Sequence, residues 1–95
     1  MKGDPMNKRV TVTVTGRVQG VGYRYFAVHV AKEYGLIGQV RNTREGGVEA
    51  VAEGEQGALD SFVQALQRGP HAAEVDHSSV DWSDPVNEFT GFQVI

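Results

Sequence analysis

Cysteine is absent from this chain, and with it every disulfide, thiolate nucleophile and cysteine-ligated metal. The three histidines, His29, His71 and His77, share no metal-ligand spacing and read as surface residues. No apolar run approaches the roughly 20 residues of a membrane helix, and Met1–Met6 has no hydrophobic signal core. A cytoplasmic protein with no membrane partner is the expectation. Basic residues nearly vanish from the second half: residues 45–95 hold Arg68 alone against ten acids, a net charge of −9. Residues 1–44 hold the other eight lysines and arginines against Asp4 and Glu33, a net charge of +6. The overall charge of −3 argues against nonspecific nucleic-acid binding. The asymmetry suits two interleaved halves that complement each other across a sheet. It equally suits a basic half that focuses its field on an anionic substrate.

What is present is ordinary for a soluble globular chain: 95 residues, 40% hydrophobic and 22% charged. That is one small domain, for which a monomer is the plain expectation. Residues 1–7 have no periodicity and read as a flexible N-terminal tail, leaving 8–95 as the domain. Val10, Val12 and Val14 alternate with Thr11, Thr13 and Thr15, the period-2 signature of a strand. Tyr23, Phe26, Ala27, Val30, Ala31 and Tyr34 then recur at helical spacing and form one apolar face about 100° wide. Gly35 supplies a left-handed helix stop, after which Leu36 folds back on the last turn.

Ile37–Thr43 reads as a second strand and Val48–Glu53 as a third, broken by Gly54, with Glu45-Gly46-Gly47 as the positive-φ turn between them. In the third strand Val48, Ala50 and Ala52 share one face, and Glu49, Val51 and Glu53 the other. Leu59, Phe62, Val63 and Leu66 mark a second helix, ended by Gly69-Pro70. Ala73–Asp84 is a weaker strand, in which the opposite parity of Val75 and Val80 predicts a bulge. Its acids Asp76, Asp81 and Asp84 suit a solvated edge that discourages pairing, and Trp82 reads as a packing residue. Pro85–Glu88 is a loop, and Phe89–Ile95 a last strand with Phe92 and Val94 inward. The order βαββαβ plus a terminal strand predicts an α+β, ferredoxin-like sandwich, with a mostly antiparallel sheet and both helices on one face.

Between the first strand and the first helix lies Gly16-Arg17-Val18-Gln19-Gly20-Val21-Gly22-Tyr23-Arg24. A glycine-punctuated turn at a helix N-terminus leaves backbone N–H groups free beside a positive helix end, which favours an anion. Arg24 adds a permanent cation with fork geometry suited to phosphate oxygens. The stretch is not a P-loop, since no Gly-Lys-Ser/Thr ending follows. Taken singly, each part has a plainer explanation. The loop is an ordinary βα turn, Arg24 a solvated first-turn residue, and Asn42 a strand-end turn residue. Arginine near a helix N-terminus is nevertheless unfavourable with the dipole, a cost that a bound anion would remove.

The run from Gly16 to Arg24, continued by Tyr25-Phe26, resembles the first signature of the acylphosphatases. Gly38-Gln39-Val40-Arg41-Asn42-Thr43-Arg44-Glu45-Gly46-Gly47-Val48, with Gly54 beyond, resembles their second. The similarity extends to the terminal Gly91-Phe92-Gln93-Val94-Ile95. One departure is visible: Gln39 stands where the family usually has an aromatic residue. The resemblance implies hydrolysis of acyl phosphates to a carboxylate and inorganic phosphate, with no metal or other cofactor. By position, Arg24 would bind phosphoryl oxygens together with main-chain N–H groups of Gly16, Arg17, Val18, Gln19, Gly20, Val21, Gly22 and Tyr23. Asn42 would orient the attacking water, and no other side chain of the two motifs is assigned a chemical step. Apart from the resemblance, Thr43, next to Asn42, is a candidate to support it through a hydrogen bond.

The chemistry tolerates so sparse a site. Phosphoryl transfer is mostly positioning plus stabilisation of charge on equatorial oxygens, which N–H donors and one guanidinium supply. The leaving carboxylate has a conjugate acid of pKa roughly 4 and departs without protonation. Two other functions fit the same fold. One is a regulatory module that senses an anion without hydrolysing anything. The other is an RNA-binding βαββαβ domain, disfavoured because Val48–Glu53 has no aromatic residue.

Overall fold

A computed structural model describes residues 7–95. Its elements in chain order are β1 (Asn7–Arg17), α1 (Tyr23–Glu33), β2 (Ile37–Asn42), β3 (Val48–Glu55), α2 (Gln56–Arg68), β4 (Glu74–Ser83) and β5 (Phe92–Val94). The expected tail, 1–7, lies outside the described residues except for Asn7, which opens β1. The five strands form one sheet in the order β4-β1-β3-β2-β5. β1–β3, β1–β4 and β2–β3 pair antiparallel, and β2–β5 pair parallel. β1 and β2 are therefore parallel to each other with β3 between them, as a right-handed βαβ crossover produces. The fold is the ferredoxin-like α+β sandwich that the element order predicts.

The core forms on the face that both helices cover. Register places Val10, Val12 and Val14 opposite Ala52, Ala50 and Val48, and Val40 opposite Ala50 from the other side. All are buried, and Leu59, Phe62, Val63 and Leu66 of α2 and Ala27, Val30 and Ala31 of α1 close over them. Small residues in the middle of β3 let two helices approach a narrow sheet. Phe62 meets Phe92 edge to face at 5.8 Å, which ties the short β5 to α2.

Several boundaries differ from the sequence reading, each for a tertiary reason. β3 runs through Gly54, because Leu36 packs where a Gly54 side chain would stand. Tyr34 is exposed at the C-cap of α1, since the chain turns off there and Leu36 takes the buried place. β2 ends at Asn42, and β5 shortens to three residues. The β4 bulge is present: Thr15 faces His77 and Gly16 faces Val75, so Asp76 is the extra residue. Trp82 is 43% exposed and packs only in part, on a strand, β4, at the edge of the sheet.

The outward face of β3 adds a feature the alternation does not show. Glu53, on the face opposite Val48, Ala50 and Ala52, is 3% exposed. Its carboxylate accepts from the Arg9 guanidinium (2.9 Å) and from the N–H groups of Val86 (2.9 Å) and Asn87 (3.1 Å). Arg9 also lies over the Phe89 ring, 5.4 Å from its centroid. Burial alone would raise this carboxyl, but the three hydrogen bonds and the Arg9 charge outweigh it and hold it below the usual carboxylate value. Glu53 thus pins the connection between β4 and β5 across the sheet.

Candidate active site

The predicted site residues gather at one end of the sheet, where β1 and β2 both finish and α1 begins. Val14 and Asn42 pair with the same residue, Val48, from its two sides. The loop leaving β1 and the turn leaving β2 are therefore neighbours. Asn42 shares the helix-facing side with Val40, as strand alternation requires. Gln39 points to the opposite face, between Val51 and Gln93, so its departure from the family's aromatic affects the outer face of the sheet and not Asn42's surroundings.

Of the predicted cradle, Gly16 and Arg17 still belong to β1 and pair with Val75 and Glu74 of β4, while Tyr23 is the first residue of α1. The free loop is Val18–Gly22. Val18 is buried and anchors the loop in the core. Gly20 (φ 76°) and Gly22 (φ 79°) both adopt left-handed backbone, and a Cβ at either would meet nothing within 4 Å. Glycine is required there for its conformation and not for space. Left-handed residues alternating with right-handed ones can turn neighbouring N–H groups toward one concavity. Gly22 is the N-cap of α1 and its carbonyl accepts from Phe26 N–H at 3.0 Å. Among the described residues, the N–H groups from Val18 to Tyr25 enter none of the turn, loop and cap hydrogen bonds between backbone groups. No acidic side chain occupies the first turn of α1, so no carboxylate of that turn competes for donors beside the positive end of the helix.

Arg24 stands half-buried in that first turn. The two ion pairs among the described residues, Arg9–Glu53 and Arg41–Glu49, leave its guanidinium without a carboxylate. A cation without a carboxylate partner, beside a glycine-rich helix N-terminus, is an arrangement chemically suited to an anion. Asn42 presents the complementary feature: its Oδ1 is buried and has no hydrogen-bond partner. Buried side-chain acceptors are rarely left open, and one at the edge of an anion cradle can receive a hydrogen bond from water or substrate.

Two contacts absent from the sequence reading build this site. The Gln19 side chain reaches out of the loop, and its Nε2 donates to the carbonyl oxygens of Thr43 and Gly47, 2.9 Å each. Thr43 does not bond to Asn42; its Oγ1 accepts from Gly47 N–H at 2.9 Å and closes the β2–β3 turn. Gly47 is buried so tightly that a Cβ would lie 2.6 Å from the Val14 carbonyl oxygen. Tyr23 is buried under the loop and its hydroxyl donates to the Leu66 carbonyl at the end of α2. Burial raises the Tyr23 phenol well above its ordinary value, so it stays neutral and remains a donor. No sequence signal separates these roles from ordinary loop and core positions.

A family model for acylphosphatases matches residues 10–94, nearly the whole chain. The chain belongs to the acylphosphatase family. An acylphosphatase of Salinibacter ruber is 46% identical over 87 residues, 92% of either chain. One from Thermus thermophilus is 45% identical over 86 residues, covering 90% of this chain and 97% of the relative. The crystal structure of an acylphosphatase from Bacillus subtilis superposes with a TM-score of 0.88 at 39% identity, over 93% of this chain and 98% of that one. The sequence resemblance and the observed fold therefore agree along almost their whole length. Among the described residues no group of three or more His, Asp or Glu side chains converges as metal ligands, and no helix is long and apolar enough to cross a membrane.

Proposed function

We propose that this member of the acylphosphatase family hydrolyses the carboxyl–phosphate bond of small acyl phosphates without metal or cofactor. In this reading the phosphoryl group rests on the N–H groups of Val18–Gly22 and the first turn of α1. Arg24 grips two of its oxygens, and Asn42 holds the attacking water. The observation that carries the reading is the pairing of free donors with one open acceptor. Among the described residues the loop N–H groups enter none of the turn, loop and cap hydrogen bonds between backbone groups, the Arg24 guanidinium forms no ion pair, and the buried Asn42 Oδ1 has no hydrogen-bond partner. An anion satisfies the first set and a water proton the second. An amide accepts from water through its oxygen while its NH₂ donates to phosphate, which orients the nucleophile without acting as a base.

Water attacks phosphorus in line, the bond from phosphorus to the carboxyl oxygen breaks, and the carboxylate leaves as an anion. No general acid is needed because its conjugate acid has a pKa of roughly 4. Alkyl phosphates would have to expel an alkoxide, a much stronger base than a carboxylate, and are poor substrates on the same argument. Gly16, Arg17 and Tyr23 support the cradle by fixing its two ends, Gly16 and Arg17 in β1 and Tyr23 in α1. The protein is read as a cytoplasmic monomer acting on free small molecules, in keeping with a cysteine-free, acidic chain of 95 residues. The test is purified protein with benzoyl phosphate in excess chelator. Hydrolysis well above the spontaneous rate is expected. Phosphate binding without turnover would replace the enzyme by an anion sensor, and turnover only after metal addition would overturn the metal-free mechanism.

A further inference from the structure

We infer that the Gln19 side chain is a positioning residue that sets the distance and angle between the phosphate cradle and Asn42. The inference deepens the functional reading above and rests on it. The cradle and the water-holding amide come from segments far apart in sequence, the loop Val18–Gly22 and the β2–β3 turn. Of the side-chain hydrogen bonds among the described residues, only the two from Gln19 join them.

The geometry is specific. One amide nitrogen has two hydrogens, and each is spent on a different carbonyl at 2.9 Å. The acceptors are the carbonyls of Thr43, the residue next to Asn42 in the chain, and Gly47, which closes the turn. The turn is itself stiff. Thr43 N–H donates to the Gly47 carbonyl at 2.9 Å, Gly46 N–H to the Thr43 carbonyl at 3.2 Å, and Gly47 N–H to Thr43 Oγ1 at 2.9 Å. A stiff turn held at two points by one side chain moves with the loop that carries that side chain. Phosphate on the cradle and water on Asn42 thereby keep a fixed relation, and in-line attack is steep in such a relation: displacements on the order of 1 Å lower rates about a hundredfold.

The role is separable from stability. Without Gln19, the Thr43 carbonyl keeps Gly46 N–H and the Gly47 carbonyl keeps Thr43 N–H, so neither is left unpaired and the fold survives. Nor does the side chain touch the donors of the cradle, whose N–H groups belong to the loop backbone.

The experiment is a double-mutant cycle of Gln19→Leu and Asn42→Ala on benzoyl phosphate, with inorganic phosphate as competitive inhibitor and thermal unfolding as the check on folding. Gln19→Leu is expected to lower kcat roughly tenfold or more while the phosphate inhibition constant moves less than about threefold. In the Asn42→Ala background the same substitution is expected to lower kcat less than about twofold, because residues acting as one unit are not additive. A full additional loss in the double variant overturns the inference, and so does a parallel fall in phosphate affinity. Gln19→Glu is the second variant. A protonated acid restores one donor, so part of kcat should return as pH falls through the carboxylate range, which Gln19→Leu cannot show; a flat ratio between the two counts against the inference. The Asn42 side-chain amide resonances, recorded with saturating phosphate, are expected to shift in Gln19→Leu, and unchanged resonances overturn the inference even in a protein that hydrolyses nothing. Failure of the wild type to hydrolyse benzoyl phosphate, by contrast, sinks the functional reading alone.

Discussion

Tyr23→Phe removes a single hydroxyl and tests how the two helices are joined beneath the site. In α2 the Leu66 carbonyl should receive an N–H from the residue four positions on, but that residue is Pro70, which has none. Gly69 N–H goes to Ala65 instead, at 2.8 Å. The Tyr23 hydroxyl takes the vacant position, donating to Leu66 from a side chain that is 1% exposed. Phenylalanine fills the same space and leaves a buried carbonyl unpaired, which costs about 1–3 kcal/mol. For a domain of this size each kcal/mol lowers Tm by roughly 4–8 °C, so a fall of at least about 4 °C is expected, with a matching shift in a urea titration. A pH series adds a sign. The folded phenol is raised above its ordinary value of 10.0 by burial. Below pH 10 both states hold the proton and the contribution is complete. Above it the unfolded chain releases a proton that the folded chain retains, and stability falls by about 1.4 kcal/mol per pH unit. Tyr23→Phe lacks that fall, so the gap between the two proteins narrows as pH rises above 10. A gap below about 0.5 kcal/mol at pH 7, smaller than a net hydrogen bond, or one that stays constant across pH 10, would refute the capping role.

The remaining predictions divide the site into its parts. Asn42→Ala is expected to reduce kcat by roughly 10²-fold, the scale of a lost orienting contact, with phosphate inhibition nearly unchanged; a collapse of phosphate affinity would remove Asn42 from water positioning. Arg24→Gln should show the other pattern, weakening phosphate by roughly 10- to 100-fold through loss of charge-assisted bonds, and an unchanged kcat/KM would take Arg24 out of the site. Gly47→Ala should push the turn off β1, where a Cβ would lie 2.6 Å from the Val14 carbonyl oxygen; about 1–3 kcal/mol of stability is lost, and kcat falls because the turn carries Asn42. Glu53→Gln should cost about 1–3 kcal/mol at pH 7 by leaving buried donors mismatched. Because the folded Glu53 carboxyl is lowered, its contribution is complete above the ordinary value of 4.5 and is lost as pH falls through the folded value. The two proteins should therefore converge in acid, and a gap that persists there would refute the clasp.

Much of this molecule is local and so legible from the chain. Valine–threonine alternation fixes β1, a helical apolar stripe fixes α1, and Gly35 and Gly69 mark where the helices stop, because strand and helix periods are properties of neighbouring residues. The loop of glycines before Tyr23, and Arg24 within the first helical turn, follow from the same short-range logic. They suffice to propose an anion cradle and, with the second motif around Asn42, to place the chain in its family. Three features had to wait for the tertiary structure: Glu53 buried against Arg9 and the β4–β5 connection, Tyr23 serving a helix 43 residues away, and Gln19 gripping a turn 24 and 28 residues on. Each is a polar group whose partner is set by the order β4-β1-β3-β2-β5, and no local period carries that order. Sequence alone names the residues proposed to hold a phosphoryl group and a water. Packing decides how far apart they stand, because that distance is fixed by hydrogen bonds between segments that only the folded sheet brings together.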